Sequence, residues 1–150
     1  MYKRQVINNV PIPGATSGGD VLSQDASVST TSLKIASANA TAAAINTQTS
    51  LTGVTAIANP ATIAGMVTGV NQSIPNGFAS LFVNGVEVKV DLETSQTPSQ
   101  RIQAVISALN PVVGETGVTA SVNQQGQGVQ LTTTDGRNLS VWYDLSLIHI

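Results

Sequence analysis

The stretch TGVTAIAN, Thr52–Asn59, returns almost intact as TGVTASVN, Thr116–Asn123. A catalytic site is needed once, whereas a repeated supersecondary unit needs its turn chemistry at every copy, so the repeat points to a duplicated architecture. Setting Gly53 on Gly117 also places Ile45-Asn46 on Leu109-Asn110, Ala44 on Ala108 and Ala38 on Ile102. Upstream, VINNVPI (Val6–Ile12) is echoed by FVNGVEV (Phe82–Val88). Each unit reads as a short strand around Asn, a connection, a helix, and TGVTA leading into a further strand. The fold class this predicts is α+β: two tandem units, residues 6–75 and 76–144, each a small antiparallel sheet with β-hairpins packed on one helix.

The second unit is the more explicit. In SLFVNGVEVKV, Leu81 and Val83 alternate before Asn84-Gly85, and Val86, Val88 and Val90 alternate after it, the pattern of a two-residue hairpin. TPSQRIQAVISALN then supplies Thr97 as N-cap, Pro98 at the first helical position and Gln100 three residues after the cap. Ile102, Val105, Ile106 and Leu109 follow at helical spacing and predict one apolar stripe lying on a sheet, with Ile106 as its anchor. After Gly117, alternation runs through Val118, Ala120 and Val122 to the QQGQG turn and out through Val129, Leu131 and Thr133. Asp135-Gly136 then turns the chain into LSVWY, an edge-like strand.

The first unit carries smaller side chains. Its helical stripe is Ile35, Ala38, Ala42 and Ile45, and alanines bury little apolar area, which predicts the less stable half. Pro13-Gly14 and Gly18-Gly19 mark its connection as loop. Pro60, Gly65 and Gly69 interrupt its downstream half, where irregular strands are expected, and Pro75-Asn76-Gly77 reads as the linker between units.

The two ends differ from the body. LSLIHI is the translation of CTG TCT CTT ATA CAC ATC, and the reverse complement of that oligonucleotide contains codons that read MYKRQ when GTG initiates. Residues 1–5 and 145–150 are therefore expected to be translated sequencing adapter, and the native polypeptide to be an internal piece of a longer protein. Without Lys3 and Arg4, four basic residues face eight acids, a formal charge of −4, and the single histidine, His149, leaves the list of candidate ligands and bases. No cysteine is present, which excludes a disulfide scaffold and a thiolate site. No apolar run reaches the roughly 18 residues of a membrane span, and the negative charge disfavours nucleic acid.

The ordered set FVNGVEV, a helix ending ALN, ETGVTASVN and GVQLTTTDGRN resembles the repeated "IN" motif of bacterial flagellins. INNVPI with AAAINTQTSLTGVTA resembles a second, more divergent copy. The resemblance implies a structural, non-enzymatic subunit of the extracellular bacterial flagellum, serving motility, with the motif in the exposed central region of flagellin. It implies other flagellin subunits as partners, export without a cleaved signal, and glycans on exposed Ser or Thr. The long helical ends through which flagellins polymerise are not seen in this sequence, so no filament assembly is expected of it. Flagellar hook-associated and cap proteins carry the same motif and are an alternative. An adhesin or carbohydrate-binding module built on the same repeats is another.

No residue is assigned a catalytic, cofactor-binding or metal-binding role. Glu87, Asp91 and Glu93 share one face of a strand, but no Asp/Asn-rich loop with a turning Gly completes a calcium geometry, so a solvated polar face is expected. Asp135-Gly136-Arg137-Asn138 reads as a turn with a capping Asp, not a phosphate cradle. The Asn-x-Ser/Thr triplets starting at Asn39, Asn71 and Asn138 are expected by chance in a chain this rich in those residues. Trp142, with Tyr143, Phe78 and Phe82, supplies most of the aromatics, and on an edge-like strand Trp142 is expected as a plug in the core. An exposed Trp142 together with binding on a glycan array would instead favour the carbohydrate-binding alternative, and a buried Trp142 the structural reading.

Overall fold

The computed structural model describes residues 5–23, 33–65 and 77–143; the adapter-like ends apart from Gln5, His149, Asn71 and the Pro75-Asn76 part of the linker lie outside them. The class is α+β. Strand β1 (Val6–Ile7) pairs with β2 (Val10–Pro11), a minimal hairpin around Asn8-Asn9. Among the described residues, the α-helices of the first half are α1 (Ala38–Asn46) and the single turn α2 (Thr49–Thr52), followed by β3 (Ala61–Ala64). The second half runs β4 (Gly77–Val83), β5 (Val86–Leu92), α3 (Pro98–Leu109), the single turn α4 (Val113–Thr116), β6 (Thr119–Val122), β7 (Val129–Thr133) and β8 (Val141–Tyr143). Two three-stranded antiparallel sheets result, ordered β5-β4-β8 and β3-β7-β6.

The β4–β5 hairpin forms where the alternation places it, with Val83 opposite Val86 and Asn84 and Gly85 at φ 48° and 86°. Both central residues of this turn type need positive φ, which Asn and Gly accept. In the first copy the same turn is made by Asn8 and Asn9, at φ 49° and 63°. Ile12 still donates its N–H to the Gln5 carbonyl at 2.8 Å, while Pro11 and Pro13 on either side of it have no N–H to add to the ladder.

Helix α3 begins with the expected capping box. Thr97 Oγ1 accepts the Gln100 N–H at 3.3 Å, and Gln100 Oε1 accepts the Thr97 N–H at 2.8 Å. The helix packs on β5 of one sheet and β6 of the other. Its buried residues are Ile102 and Leu109, and Leu109 joins Val83, Val88, Val118, Ala120 and Leu131 in the core. Ile106 is only half-buried at the edge of this cluster, so Leu109 replaces it as the anchor. The stripe is centred on the line from Ile102 to Leu109, two turns apart, and Ile106 falls to one side of it.

The first helix departs further from its expected stripe. The buried residue of α1 is Ala40, while Ala38 is exposed and Ile35 is 52% exposed. The helix has turned its Ala40 and Ala43 side onto the 3-10 turn Ser17–Gly19, where a Cβ at Gly19 would sit 3.1 Å from that of Ala43. Ser37 caps it, accepting the Ala40 N–H at 3.0 Å. The expected stripe residues Ala38, Ala42 and Ile45 instead line an open groove of about 450 Å³ with Ala56, Ile57 and Ala58. Where irregular strands were expected, β3 is regular over its four residues and pairs with β7, Ala61 opposite Thr133. A ladder thus joins the 6–75 stretch to the 76–144 stretch.

Candidate functional site

The repeated residues build the same polar staple in both copies. At the end of α1, Asn46 Nδ2 donates to the Ala56 carbonyl at 2.9 Å and Oδ1 accepts the Ala56 N–H at 2.7 Å. After α3, Asn110 holds Ala120 in the same way at 3.1 and 2.9 Å. Thr52 and Thr116 each donate a hydroxyl to the carbonyl four residues back, Gln48 or Val112, at 3.0 Å. Each also accepts the amide two residues on, Val54 or Val118, at 3.1 Å. Gly53 and Gly117 follow in the left-handed region at φ 70° and 67°. Asn8 and Asn84 then reach across from the hairpins, each donating Nδ2 to the carbonyl of Thr52 or Thr116 at 2.8 Å.

The residue types follow from the task. The last turn of a helix leaves carbonyls without partners, and a side chain that both donates and accepts can satisfy these and the amides of the next strand together. Thr52 and Thr116 do this, while Asn8 and Asn84 take up one further helix-end carbonyl and Asn46 and Asn110 clamp both backbone groups of Ala56 and Ala120. Asn also tolerates the positive φ of the hairpin turn. The copies differ in what surrounds them: Asn84 Oδ1 also accepts the Ser140 N–H at 2.8 Å, a bond with no counterpart at Asn8 among the described residues. A side chain at Gly117 would run into the guanidinium of Arg137, whereas Gly53 faces open space.

Arg137 belongs to the Asp135-Gly136-Arg137-Asn138 segment, which is the Asp-capped turn expected from the sequence. Asp135 Oδ1 accepts the Arg137 N–H at 3.2 Å, and the two side chains form an ion pair, Nη2 to Oδ2, at 2.6 Å. The turn also ties the halves together. Asn39 Nδ2 donates to the Asp135 carbonyl at 3.1 Å, and Asn138 donates its N–H to Ser23 Oγ at 2.8 Å and its Nδ2 to the Leu33 carbonyl at 3.0 Å. Two of the three triplet asparagines are therefore engaged in the fold.

Asp20 was missed by sequence reasoning. It is buried, and Oδ1 accepts the amides of Leu22 and Ser23 at 2.9 Å each. An Asp three residues before a Ser is the available local signal. Burial pushes its carboxyl up, but the Ser23 and Ser37 hydroxyls and the two amides outweigh burial and hold it far below the usual carboxylate range. The hydrogen bond from Arg137 holds Asp135 down, against burial. A carboxyl lowered in the folded state takes up its proton more readily when unfolded, so acid favours unfolding. This stability is complete above the unfolded carboxyl value of about 3.9 and is lost as pH falls from there through the folded values. Urea midpoints are expected to be flat from about pH 7 to 5 and to fall below about pH 4, with a shallower fall in Asp20→Asn.

The remaining candidates lie on the outer face of the β5-β4-β8 sheet. Glu87 and Asp91 project from β5, and Glu93 lies just beyond it. Glu87 Oε1 accepts the Ser80 hydroxyl at 2.7 Å, and Glu93 Oε2 accepts that of Ser95 at 3.1 Å. Among the described residues, no three His, Cys, Asp or Glu side chains gather as a metal site.

Trp142 is 41% exposed and is not a core plug. The reason is register. Trp142 sits opposite Phe82, Val83 sits opposite Val141, and since Val83 points into the core, Phe82 and Trp142 must point out. Their rings lie 5.1 Å apart at 53°. Phe78, 59% exposed, stands four residues before Phe82 on the same face. Tyr143, opposite Leu81, is on the other side at the sheet's rim. Among the described residues, no helix is long and apolar enough to cross a membrane. Compared with models of known protein families and with curated proteins, the chain matches none.

Proposed function

We propose that this chain is a structural, non-enzymatic region of a flagellin-like subunit, exposed on an extracellular bacterial filament. The observation that carries this reading is the duplicated staple: Asn8, Asn46, Thr52 and Gly53 make the same bonds as Asn84, Asn110, Thr116 and Gly117. The residues that give the chain its self-similarity are spent on closing helix ends and joining hairpins to them. The resemblance of these segments to the flagellin "IN" motif supplies the filament. Thr41, Thr47, Thr55, Thr62, Ser95 and Thr119 are exposed, which fits an outward-facing stretch on which O-linked glycans are carried.

Immunogold microscopy tests the proposal. Antibodies raised against this chain should decorate flagella of the source bacterium along their whole shafts. Label confined to the distal tip would favour the hook-associated or cap alternative, and unlabelled flagella on cells that express the protein would refute both.

A further inference from the structure

We infer that the outer face of the β5-β4-β8 sheet is a binding surface for a neutral, extended oligosaccharide. In antiparallel sheets, residues directly opposite one another share a face, and here the opposed pairs are Phe78 with Asp91, Ser80 with Lys89, Phe82 with Glu87, and Phe82 with Trp142. The surface is therefore an ordered strip. Phe78 stands at one end, the tilted Phe82–Trp142 pair at the other, and the polar groups of Ser80, Glu87, Lys89 and Asp91 lie along and between them.

The composition of the strip selects the ligand. A pyranose ring has an apolar C–H face that stacks on an aromatic ring and a rim of hydroxyls that bond to carboxylates and ammonium groups, and both kinds of partner alternate here. Phe78 and Phe82 are four residues apart, about 13 Å along a strand, so a single sugar cannot reach both ends. The carboxylates of Glu87 and Asp91 repel acidic sugars and polyanions. The Ser80–Glu87 hydrogen bond holds one of those acceptors in place before any ligand arrives. The strip is on the side of the sheet away from Val83, Val88 and Val90, so occupying it disturbs no core packing. It also requires nothing of the staple, and its failure would leave the structural reading untouched.

Trp142 is the sole tryptophan and reports directly on the site. The full chain is titrated with cellohexaose and hexa-N-acetylchitohexaose, and with a galacturonic acid hexamer as the acidic comparator, following tryptophan fluorescence. A saturable change is expected with at least one neutral hexamer and none with the acidic one. By calorimetry, Phe78→Ala should weaken that binding by about tenfold, the loss of one stacking contact, and Trp142→Ala should abolish it. Absence of saturation at millimolar neutral hexamer, or an affinity unchanged in Phe78→Ala, overturns the inference. Should Trp142→Ala fail to fold by circular dichroism, Phe78→Ala, at the start of its strand, decides. Sedimentation of the same samples covers the competing occupant: a dimer that Phe78→Ala dissolves, with no sugar bound, makes the face a contact between copies and likewise overturns it.

Discussion

Asn84→Ala is expected to lower stability by about 3–5 kcal/mol, a large share of the roughly 5–15 kcal/mol that holds a domain together. Asn84 is buried and sits where three segments meet. Its Nδ2 donates to the Thr116 carbonyl at 2.8 Å, its Oδ1 accepts the Ser140 N–H at 2.8 Å, and its own N–H donates to the Ser140 carbonyl at 2.9 Å. Alanine removes both side-chain bonds and strands two backbone groups in the interior, at about 1–3 kcal/mol each. It must also adopt φ 48°, which costs an ordinary residue about 1–2 kcal/mol. Asn84→Gly relieves the second penalty and not the first, so it should fall between Asn84→Ala and the parent. The urea midpoint should drop while the denaturant slope stays constant, the signature of a change in stability alone.

Leu109→Ala should cost about 2–5 kcal/mol, the range for truncating a fully buried leucine, because the helix lies against two sheets and cannot collapse into the space left behind. Leu109 is 1% exposed and packs among Val83, Val88, Val118 and Leu131. Ile106→Ala, at the margin of the same cluster, should cost about 1–2 kcal/mol, since part of its apolar surface already meets water. Thermal unfolding of the two variants gives the order. A larger loss for Ile106 would mean that the helix is rotated relative to the packing described above.

These two residues show what the sequence discloses and where it stops. Short-range signals were decisive: Asn84-Gly85 between alternating valines set the hairpin, and Thr97, Pro98 and Gln100 set the start of α3. The TGVTA repeat announced a recurring turn whose atoms became visible only in three dimensions. Periodicity found the apolar side of α3 but could not rank Ile106 against Leu109, because depth depends on how the helix tilts across two sheets. Alanines left α1 with no strong preference for one side, and the close approach permitted by Gly19 settled which side was buried. The pairing of β3 with β7 joins residues about 70 positions apart, and nothing local encodes it. The outward position of Trp142 follows from the register of β8 on β4, a non-local fact again. Asp20 carried a readable turn signal, while its burial came from packing between the 3-10 turn, α1 and the Asn138 segment.

If the repeat exists to build the fold, both copies of its staple must contribute stability, and the copy embedded in the aliphatic core must contribute more. Asn8→Gly and Asn84→Gly, unfolded in urea side by side, isolate the side-chain bonds because glycine accepts the positive φ at both sites. Asn84→Gly should cost about 2–4 kcal/mol and Asn8→Gly about 1 kcal/mol, the difference between two buried bonds and one half-exposed bond. Losses of equal size, or no loss at either site, would contradict a duplicated architecture anchored in its second copy.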